Sequence, residues 1–198
     1  MQPANLIEIN DQLIEYEYHR GSAPRTLVCC HPHPLYEGTM YNKVITTSTM
    51  AAKALDYSYL RFNYPGIGRS SGHFGFGFYE AQQARLLMDA VVQDQDIVLL
   101  GFSFGCSVIQ QLLLQITPKP PTIWVGASLI ESLITPEITE TVVGMIHGEE
   151  DALCPFLAAK NLANRMGIPL SGVAHAGHFF DGHQIELRDQ VKHYLRLC

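Results

Sequence analysis

The sequence has few charged residues and no region rich in basic ones. Charged side chains make up 16% of the 198 residues, and the formal net charge is −6. Because nucleic-acid-binding surfaces need clustered Lys and Arg to neutralise phosphates, this balance argues against a nucleic-acid partner. A low charge content with 47% hydrophobic residues is typical of a protein with much buried parallel sheet, which is covered on both faces.

The features of a targeting or membrane segment are also missing. The first residues, Met1 to Asn5, have no basic run and no apolar core after them, so we expect no signal peptide. The uncharged stretch from Ile97 to Ile116 is about long enough to span a bilayer, but glycines, serines and glutamines interrupt it. We therefore interpret it as a buried strand, a sharp turn and a buried helix, and expect no membrane association.

The cysteines do not form a disulfide pattern. There are five of them at irregular spacing, with no C-x-x-C motif: Cys29, Cys30, Cys106, Cys154 and Cys198. An odd, irregular set is typical of reduced thiols, which predicts a cytoplasmic protein. Neighbouring strand residues point to opposite faces, so Cys29 and Cys30 are expected on different sides of a sheet.

No internal repeat, low-complexity segment or linker divides the sequence, so we expect one domain spanning residues 1–198. Alternating residues from Leu6 to Tyr18 around Asn10-Asp11 predict an N-terminal β-hairpin. Further strands are predicted at Thr26–Cys30, Tyr57–Asn63, Ile97–Gly101, Thr122–Val125, Val142–His147 and Leu170–Ala174. Helices are predicted between them and at the end, at Asn42–Leu55, Phe78–Gln93, Phe104–Ile116, Pro155–Met166 and Gln184–Leu197.

This alternation of strands and helices predicts an α/β fold, with a mostly parallel central sheet and helices on both faces. In such sheets the functional groups lie in the loops at the carboxyl ends of the strands. We therefore expect the functional residues in those loops.

One of these loops contains the pattern G-x-S-x-G. Gly101, Ser103 and Gly105 follow a predicted strand and precede a predicted helix. In this context the serine occupies a strained turn, and small neighbours let the strand and helix pack around it. The pattern predicts Ser103 as a nucleophile, with its oxygen exposed near a helix N-terminus; an ordinary glycine-rich turn is the alternative.

A serine nucleophile needs a base and a carboxylate, which follow in the order Ser, acid, His in this architecture. The acid candidates are Glu149, Glu150 and Asp151, directly after the strand ending at His147. The base candidates, His175 and His178, follow the last predicted strand. We prefer His178, because it follows a glycine in a loop suited to presenting a side chain, but periodicity does not decide between them.

An oxyanion hole would need two N–H donors. One is the backbone N–H of Phe104, the residue after the serine. The other is expected in the loop after the strand ending at Cys30, where Pro32 and Pro34 lack an N–H, which leaves His33 and Leu35 as candidates. A metal site at His31 and His33 is the alternative, but no third ligand with suitable spacing lies nearby.

Several blocks together resemble a known family. They are His31-Pro32-His33-Pro34, Gly38-Thr39-Met40, Arg61-Phe62-Asn63-Tyr64, Gly66-Ile67-Gly68-Arg69-Ser70, Gly101–Gly105, His147–Asp151 and Gly177-His178. These blocks, which extend from about Thr26 to the C-terminus, resemble the compact α/β-hydrolases. The subgroup most similar is the small bacterial one without a lid, related to dienelactone hydrolases and carboxylesterases.

The resemblance implies an α/β-hydrolase fold and a serine hydrolase without cofactor or metal. It implies that Asp151 is the catalytic acid and His178 the catalytic base. Glu37 departs from the pattern, since the subgroup usually has glycine there. The segment from Gly66 to Gly72 partly imitates a dinucleotide-binding motif, but its third glycine is one residue late, and we interpret it as shaping a loop beside the active site.

Only about sixteen residues separate the strands ending at Val125 and starting at Val142, which is too few for a lid. An open site is therefore expected, with an apolar pocket formed by Tyr36, Phe74, Phe102 and Phe179. We predict hydrolysis of short, uncharged esters or thioesters, which are small-molecule substrates. A peptidase or amidase of the same fold, or a catalytically silent binding protein, is the alternative; the sequence leaves the oligomeric state open.

Overall fold

A single eight-stranded sheet forms the centre of the protein. The computed structural model describes residues 4–93 and 96–198. The strands are β1 Asn5–Ile9, β2 Gln12–His19, β3 Arg25–Cys30, β4 Ser58–Phe62, β5 Asp96–Phe102, β6 Thr122–Val125, β7 Val142–Gly148 and β8 Leu170–Val173. The predicted hairpin and all six later strands are confirmed, each end lying within one residue of the prediction.

Six helices connect or follow these strands. They are α1 Lys43–Lys53, α2 Phe78–Val91, α3 Phe104–Leu113, α4 Pro136–Thr139, α5 Phe156–Met166 and α6 Gln184–Leu195. Five of them were predicted. The single turn α4 was not, because four residues are too few to show a helical repeat. It begins at Pro136, whose fixed φ suits the first position of a helix.

The strand order is β1-β2-β4-β3-β5-β6-β7-β8. Strand β2 pairs antiparallel with both β1 and β4, and every later neighbouring pair is parallel. The carboxyl ends of β3 to β8 therefore meet at one edge of the sheet. This confirms the predicted fold class.

Hydrophobic cores lie on both faces of the sheet. One core includes Leu87 of α2, Leu112 of α3 and Ala159 of α5, and the other includes Ile45 of α1 and Val191 of α6. Because both faces are covered, the central strands are buried almost throughout, which accounts for the low charge content. 

The five cysteines are all unpaired. Cys29 packs in the core beneath α1 and α6, whereas Cys30 packs in the core beneath α2 and α3, so the predicted opposite orientation is confirmed. Burial raises the pKa of both thiols, to about 12 for Cys30. These thiols therefore behave as small apolar side chains.

The connection between β6 and β7 contains only a short 3-10 turn, Glu131–Leu133, and helix α4. No lid is present there, as predicted. The residues after β5 form a tight turn and α3, so the uncharged stretch from Ile97 is a strand, a turn and a helix. Within residues 4–93 and 96–198, no helix combines the length and the apolar character needed to cross a bilayer.

The glycine-rich loop after β4 is tied to the N-terminal hairpin. The buried carboxylate of Glu15 accepts hydrogen bonds from the backbone N–H of Arg69, from its guanidinium Nε and from the side-chain amide of Asn63. Asn63 also accepts a hydrogen bond from the N–H of Met40 through its side-chain oxygen. These contacts connect the loop to the hairpin and to the segment before α1, in agreement with a loop-shaping role.

Candidate active site

The turn at Ser103 joins β5 to α3. Ser103 has φ 54° and ψ −120°, a conformation that residues with a Cβ rarely adopt. A Cβ at Gly105 would lie 2.1 Å from the carbonyl oxygen of Cys30, and one at Gly101 would lie 2.6 Å from the amide nitrogen of Cys106. Glycine is therefore required at both positions, for the steric reason that the G-x-S-x-G pattern indicates.

The same turn is held against neighbouring strands. The N–H of Ser103 donates to the carbonyl of Val125 at 2.9 Å, and the N–H of Ser128 donates to the carbonyl of Ser103 at 3.3 Å. The Ser103 side chain remains partly exposed. Because Phe104 is the first residue of α3, its N–H has no acceptor within the helix and points out of the helix N-terminus.

A buried carboxylate lies in the loop after β7. Asp151 is 5% exposed, and its Oδ1 accepts hydrogen bonds from the N–H groups of Leu153 and Cys154 at 2.9 and 2.8 Å. Its Oδ2 lies 2.7 Å from Nδ1 of His178, which donates because a carboxylate only accepts. This leaves Nε2 of His178 with a lone pair.

These hydrogen bonds keep Asp151 ionised. Burial alone raises the pKa of the carboxyl, but hydrogen bonds from His147, from His178 and from the N–H of Cys154 outweigh burial, and the pKa lies well below its ordinary value. A negative charge is therefore maintained beside the His178 ring.

The alternative acids and base lie outside this arrangement. Glu149 and Glu150 are exposed. His175 is also exposed, and its Nδ1 lies 3.0 Å from Oε1 of Glu150 at the protein surface. Of the candidate bases, His178 pairs with a buried carboxylate, whereas His175 pairs with an exposed one.

The His178 ring lies at the same sheet edge as Ser103. Its centroid is 5.0 Å from the centroid of the Phe102 ring. A Cβ at Gly126, the residue after β6, would lie 3.3 Å from Cε1 of His178. The ring therefore contacts Phe102 and Gly126. Phe102 directly precedes Ser103, and Gly126 directly follows Val125, whose carbonyl accepts the hydrogen bond from Ser103.

The loop after β3 approaches the turn at Ser103 from the other side. Of the two candidate donors, the N–H of Leu35 already donates to Nδ1 of His33 at 3.2 Å. The N–H of His33 makes no hydrogen bond within the described ranges. The ring of His33 lies 4.8 Å from that of Phe104. Of the two, His33 therefore has the available N–H beside the turn.

The departure at Glu37 has a local explanation. Glu37 has φ 60° and ψ 20°, in the left-handed region that glycine occupies most easily. The N–H of the next residue, Gly38, donates to the carbonyl of His33 at 3.2 Å, and this hydrogen bond closes the loop. The loop therefore keeps its turn with glutamate at this position, at the cost of some backbone strain.

Neither histidine after β3 has the surroundings of a metal ligand. His31 is fully buried; its Nδ1 donates to the carbonyl of Pro32 at 2.8 Å, and its Nε2 accepts from the N–H of Tyr64 at 3.2 Å. Burial lowers the pKa of His31 to about 3, so the ring is neutral and both nitrogens are engaged. Nδ1 of His33 is occupied by the N–H of Leu35.

Three side chains at this edge of the sheet could offer ligand atoms to a metal ion. Ligand atoms of Asp151, Cys154 and His178 lie within 4.8 Å of one another. Binding a metal there would break the His178–Asp151 hydrogen bond. It would also require a thiolate, whereas burial, and next the charge of Asp151, raise the pKa of Cys154 to about 11. The hydrogen-bonded arrangement accounts for these residues without a metal.

The predicted pocket residues fall into two groups. Tyr36 and Phe179 are exposed and Phe74 is partly exposed, and the ring of Phe74 lies 5.7 Å from that of Phe104. Phe102 differs: it is fully buried and supports His178 from below, so it presents no surface to a ligand. Phe102 is the last residue of β5, and its side chain points into the core. Side chains of a strand alternate between the two faces of the sheet, and this alternation places the Phe102 ring on the side of the core.

The exposed ring of Phe76, which alternates with glycines in the sequence, extends the cluster at 4.7 Å from Phe74. One residue of the site was not predicted as a site residue. His147, the last side chain of β7, contacts Asp151. It lies within a block on which the resemblance was based, but a histidine inside a predicted strand has no sequence pattern that distinguishes a site residue from a core residue.

The chain is similar to several known proteins. No protein-family model matches it. An uncharacterized protein of Rickettsia prowazekii is 28% identical over 202 aligned positions, which cover 92% of this chain and 84% of the relative. An α/β serine hydrolase homologue from Coxiella burnetii is 28% identical, with a TM-score of 0.80 and coverage of 98% of this chain and 97% of the other.

A Xanthomonas campestris protein described as an α/β serine hydrolase without a lid has the same fold. It is 23% identical, with a TM-score of 0.83 and coverage of 99% of this chain and 95% of the other. The absence of a lid between β6 and β7 agrees with the description of the Xanthomonas campestris protein. The chain has the α/β-hydrolase fold, and its likeness to the serine hydrolase homologue from Coxiella burnetii supports a hydrolase.

The ionised Asp151 should make stability depend on pH in a defined window. Its folded-state pKa is depressed below the ordinary 3.8 of the unfolded chain, so its contribution is full above about pH 4 and declines as the pH falls further. We expect the difference in free energy of unfolding between wild type and Asp151→Asn to shrink from pH 5 to pH 3 in urea titrations. Glu150→Gln, at an exposed carboxylate, is the control, and a constant Asp151 difference would contradict this assignment.

Proposed function

We propose that this protein is a serine hydrolase that cleaves small, uncharged esters or thioesters through an acyl-serine intermediate. Ser103 is the nucleophile, His178 the general base and Asp151 the acid that orients it. The observation that supports this most is the buried His178–Asp151 pair, 2.7 Å between Nδ1 and Oδ2, at the sheet edge that carries the strained Ser103 turn.

The tautomer of His178 suits general-base catalysis. Because Nδ1–H is held by Asp151, the lone pair of Nε2 is free to take the proton of the Ser103 hydroxyl as its oxygen attacks the substrate carbonyl. The imidazolium then gives this proton to the leaving alcohol or thiol as the bond to the acyl carbon breaks. The buried negative charge of Asp151 stabilises the imidazolium between these two steps.

The negative charge that develops on the carbonyl oxygen needs donors. We propose the N–H groups of Phe104 and His33, the first at the N-terminus of α3 and the second without a partner in the described chain. Water then attacks the acyl-serine carbonyl, His178 takes the proton from that water, and the proton returns to the Ser103 oxygen as the acid product leaves.

The surroundings of Ser103 favour small substrates. The short connection between β6 and β7 leaves the site open, and the partly or fully exposed rings of Tyr36, Phe74, Phe76 and Phe179 provide apolar surface near it. The net charge of −6 offers no attraction for nucleic acid. We propose a cytoplasmic location, in which the five unpaired cysteines stay reduced.

A fluorophosphonate probe tests whether Ser103 is an activated nucleophile. We expect stoichiometric labelling of the wild type, detected by mass spectrometry at Ser103, and no labelling of Ser103→Ala, because the alkoxide forms only there. Hydrolysis of p-nitrophenyl acetate should be lost in the same variant. Absence of labelling in the folded wild type would favour a silent binding protein, and faster hydrolysis of aryl amides than of matched esters and thioesters would favour an amidase.

The two histidines after β8 provide a matched pair for the base. We expect His178→Ala to reduce kcat by at least about a thousandfold, as in other triads, because the variant lacks the imidazole that takes the serine proton in the proposed reaction. His175→Ala should leave kcat unchanged, since His175 is exposed and pairs with the surface residue Glu150. Steady-state kinetics on p-nitrophenyl acetate measures both, and the reverse order of effects would show that the base is assigned to the wrong histidine.

The backbone donor at position 33 can be removed without changing the backbone angle. His33 has φ −56°, which proline adopts, so His33→Pro deletes the N–H. We expect kcat to fall about a hundredfold, in the range found for the loss of one oxyanion donor. His33→Ala removes the same side chain but keeps the N–H, and should stay within a few-fold of wild type. Equal losses in both variants would argue for another donor.

A further inference from the structure

His147 is a buried histidine with no role in the proposed reaction so far. It is 1% exposed and carries the last side chain of β7, four residues before Asp151. Its Nε2 lies 2.6 Å from the carbonyl oxygen of Cys154. Because a carbonyl only accepts, Nε2 must carry the hydrogen, which fixes the ring as a donor on this side.

The same N–H faces the acid. Nε2 of His147 lies 3.3 Å from Oδ2 of Asp151, the oxygen that also accepts from Nδ1 of His178 at 2.7 Å. The N–H groups of Leu153 and Cys154 donate to Oδ1, so donors face both carboxylate oxygens. The imidazoles of His147 and His178 therefore both face Oδ2 of Asp151, and each withdraws part of the negative charge from this oxygen.

The opposite side of the ring argues against a packing role alone. Nδ1 of His147 is buried and has no hydrogen-bond partner among the described residues. An unpartnered buried nitrogen is destabilising, and an apolar side chain of similar size would avoid it. A neutral ring leaves only a lone pair unsatisfied at Nδ1, whereas a protonated ring would bury an unpaired N–H.

The charged groups around His147 are few. Asp151 and the Cys154 thiol face it from its own loop, with His178 beyond Asp151. Across a cavity of about 480 Å³ that His147 borders, Arg165 of α5 and Glu131 pair with each other at 2.9 Å. Arg165 and Glu131 pair with each other, and the charged group that His147 contacts is Asp151.

We propose that His147 is a positioning residue, which orients Asp151 toward His178 and takes a share of its negative charge through the bifurcated Nε2–H. This inference rests on the proposed function of Asp151 and His178. The lowered pKa of Asp151, to which the hydrogen bond from His147 contributes, agrees with it. If the second donor is lost, more negative charge faces His178, and the ring binds its proton more tightly.

Three variants of His147 distinguish the effect of its Nε2–H donor from the effect of the volume that its ring fills. The side-chain amide of His147→Gln can reach the position of Nε2 and donate to Cys154 and Asp151. His147→Leu has no donor, and His147→Asn keeps a polar amide that is too short to reach. Phe156→Leu is the packing control, because the Phe156 ring lies 6.2 Å from the His147 ring and Phe156 makes no hydrogen bond to Asp151.

The readout is the dependence of kcat/KM on pH for p-nitrophenyl acetate, between pH 5 and 9. We expect the acid limb of His147→Leu and His147→Asn to move to higher pH by about half a unit, with a kcat about tenfold lower and little change in KM. His147→Gln should restore the acid limb of the wild type. Phe156→Leu should lower the melting temperature but leave the acid limb at the wild-type pH. A wild-type limb in folded Leu and Asn variants, or an equal shift in the Gln or Phe156 variant, would overturn the proposal.

A second measurement keeps the test independent of activity. In proton NMR of this 22.1 kDa protein, the Nδ1–H of His178 should give a low-field signal, and its hydrogen bond to Asp151 should shorten when the competing donor is lost. We expect the signal to move further downfield in His147→Leu and His147→Asn but not in His147→Gln. An unchanged signal in the first two would overturn the positioning role, whereas a wild type without esterase activity but with these shifts would overturn only the proposed function.

Discussion

The turn after β5 lies against the end of β3 so closely that no side chain fits between them, and the arrangement of the whole site depends on this contact. With only hydrogen atoms on Gly105, the turn can rest on the Cys30 carbonyl. That contact holds Ser103 in its left-handed conformation and places the N-terminus of α3 beside the loop that begins at His31. Three loops, after β3, β5 and β6, are thereby packed into one edge of the sheet.

The second organising element is a negative charge kept inside the protein. A buried carboxylate is tolerated when each of its oxygens accepts hydrogen bonds, and Asp151 receives them from two backbone N–H groups and from His178, with Nε2 of His147 3.3 Å from Oδ2. These donors come from its own loop, from the end of β7 and from the segment after β8. The charge therefore links the last third of the chain to the sheet edge and favours a single orientation of His178.

The fold could be predicted almost completely from the sequence. Strand and helix periods are local properties, and turn residues separate them clearly along this chain. What escaped prediction were short elements such as α4, and the pairing of β2 with β4, which joins segments about 45 residues apart. The inward orientation of Phe102 was also missed, because a strand's burial on both faces removes the alternation that would have indicated it.

By itself, the sequence determined the α/β architecture, the strained turn at Ser103 and the short set of acidic residues and histidines near it, since each depends on neighbours along the chain. Only the tertiary structure decided which histidine meets which carboxylate and that His147 reaches Asp151. It also decided that Leu35 uses its N–H within its own loop, while that of His33 has no acceptor among the described residues. These outcomes depend on distances between loops, and a shift of one residue along a loop exchanges a buried contact for an exposed one.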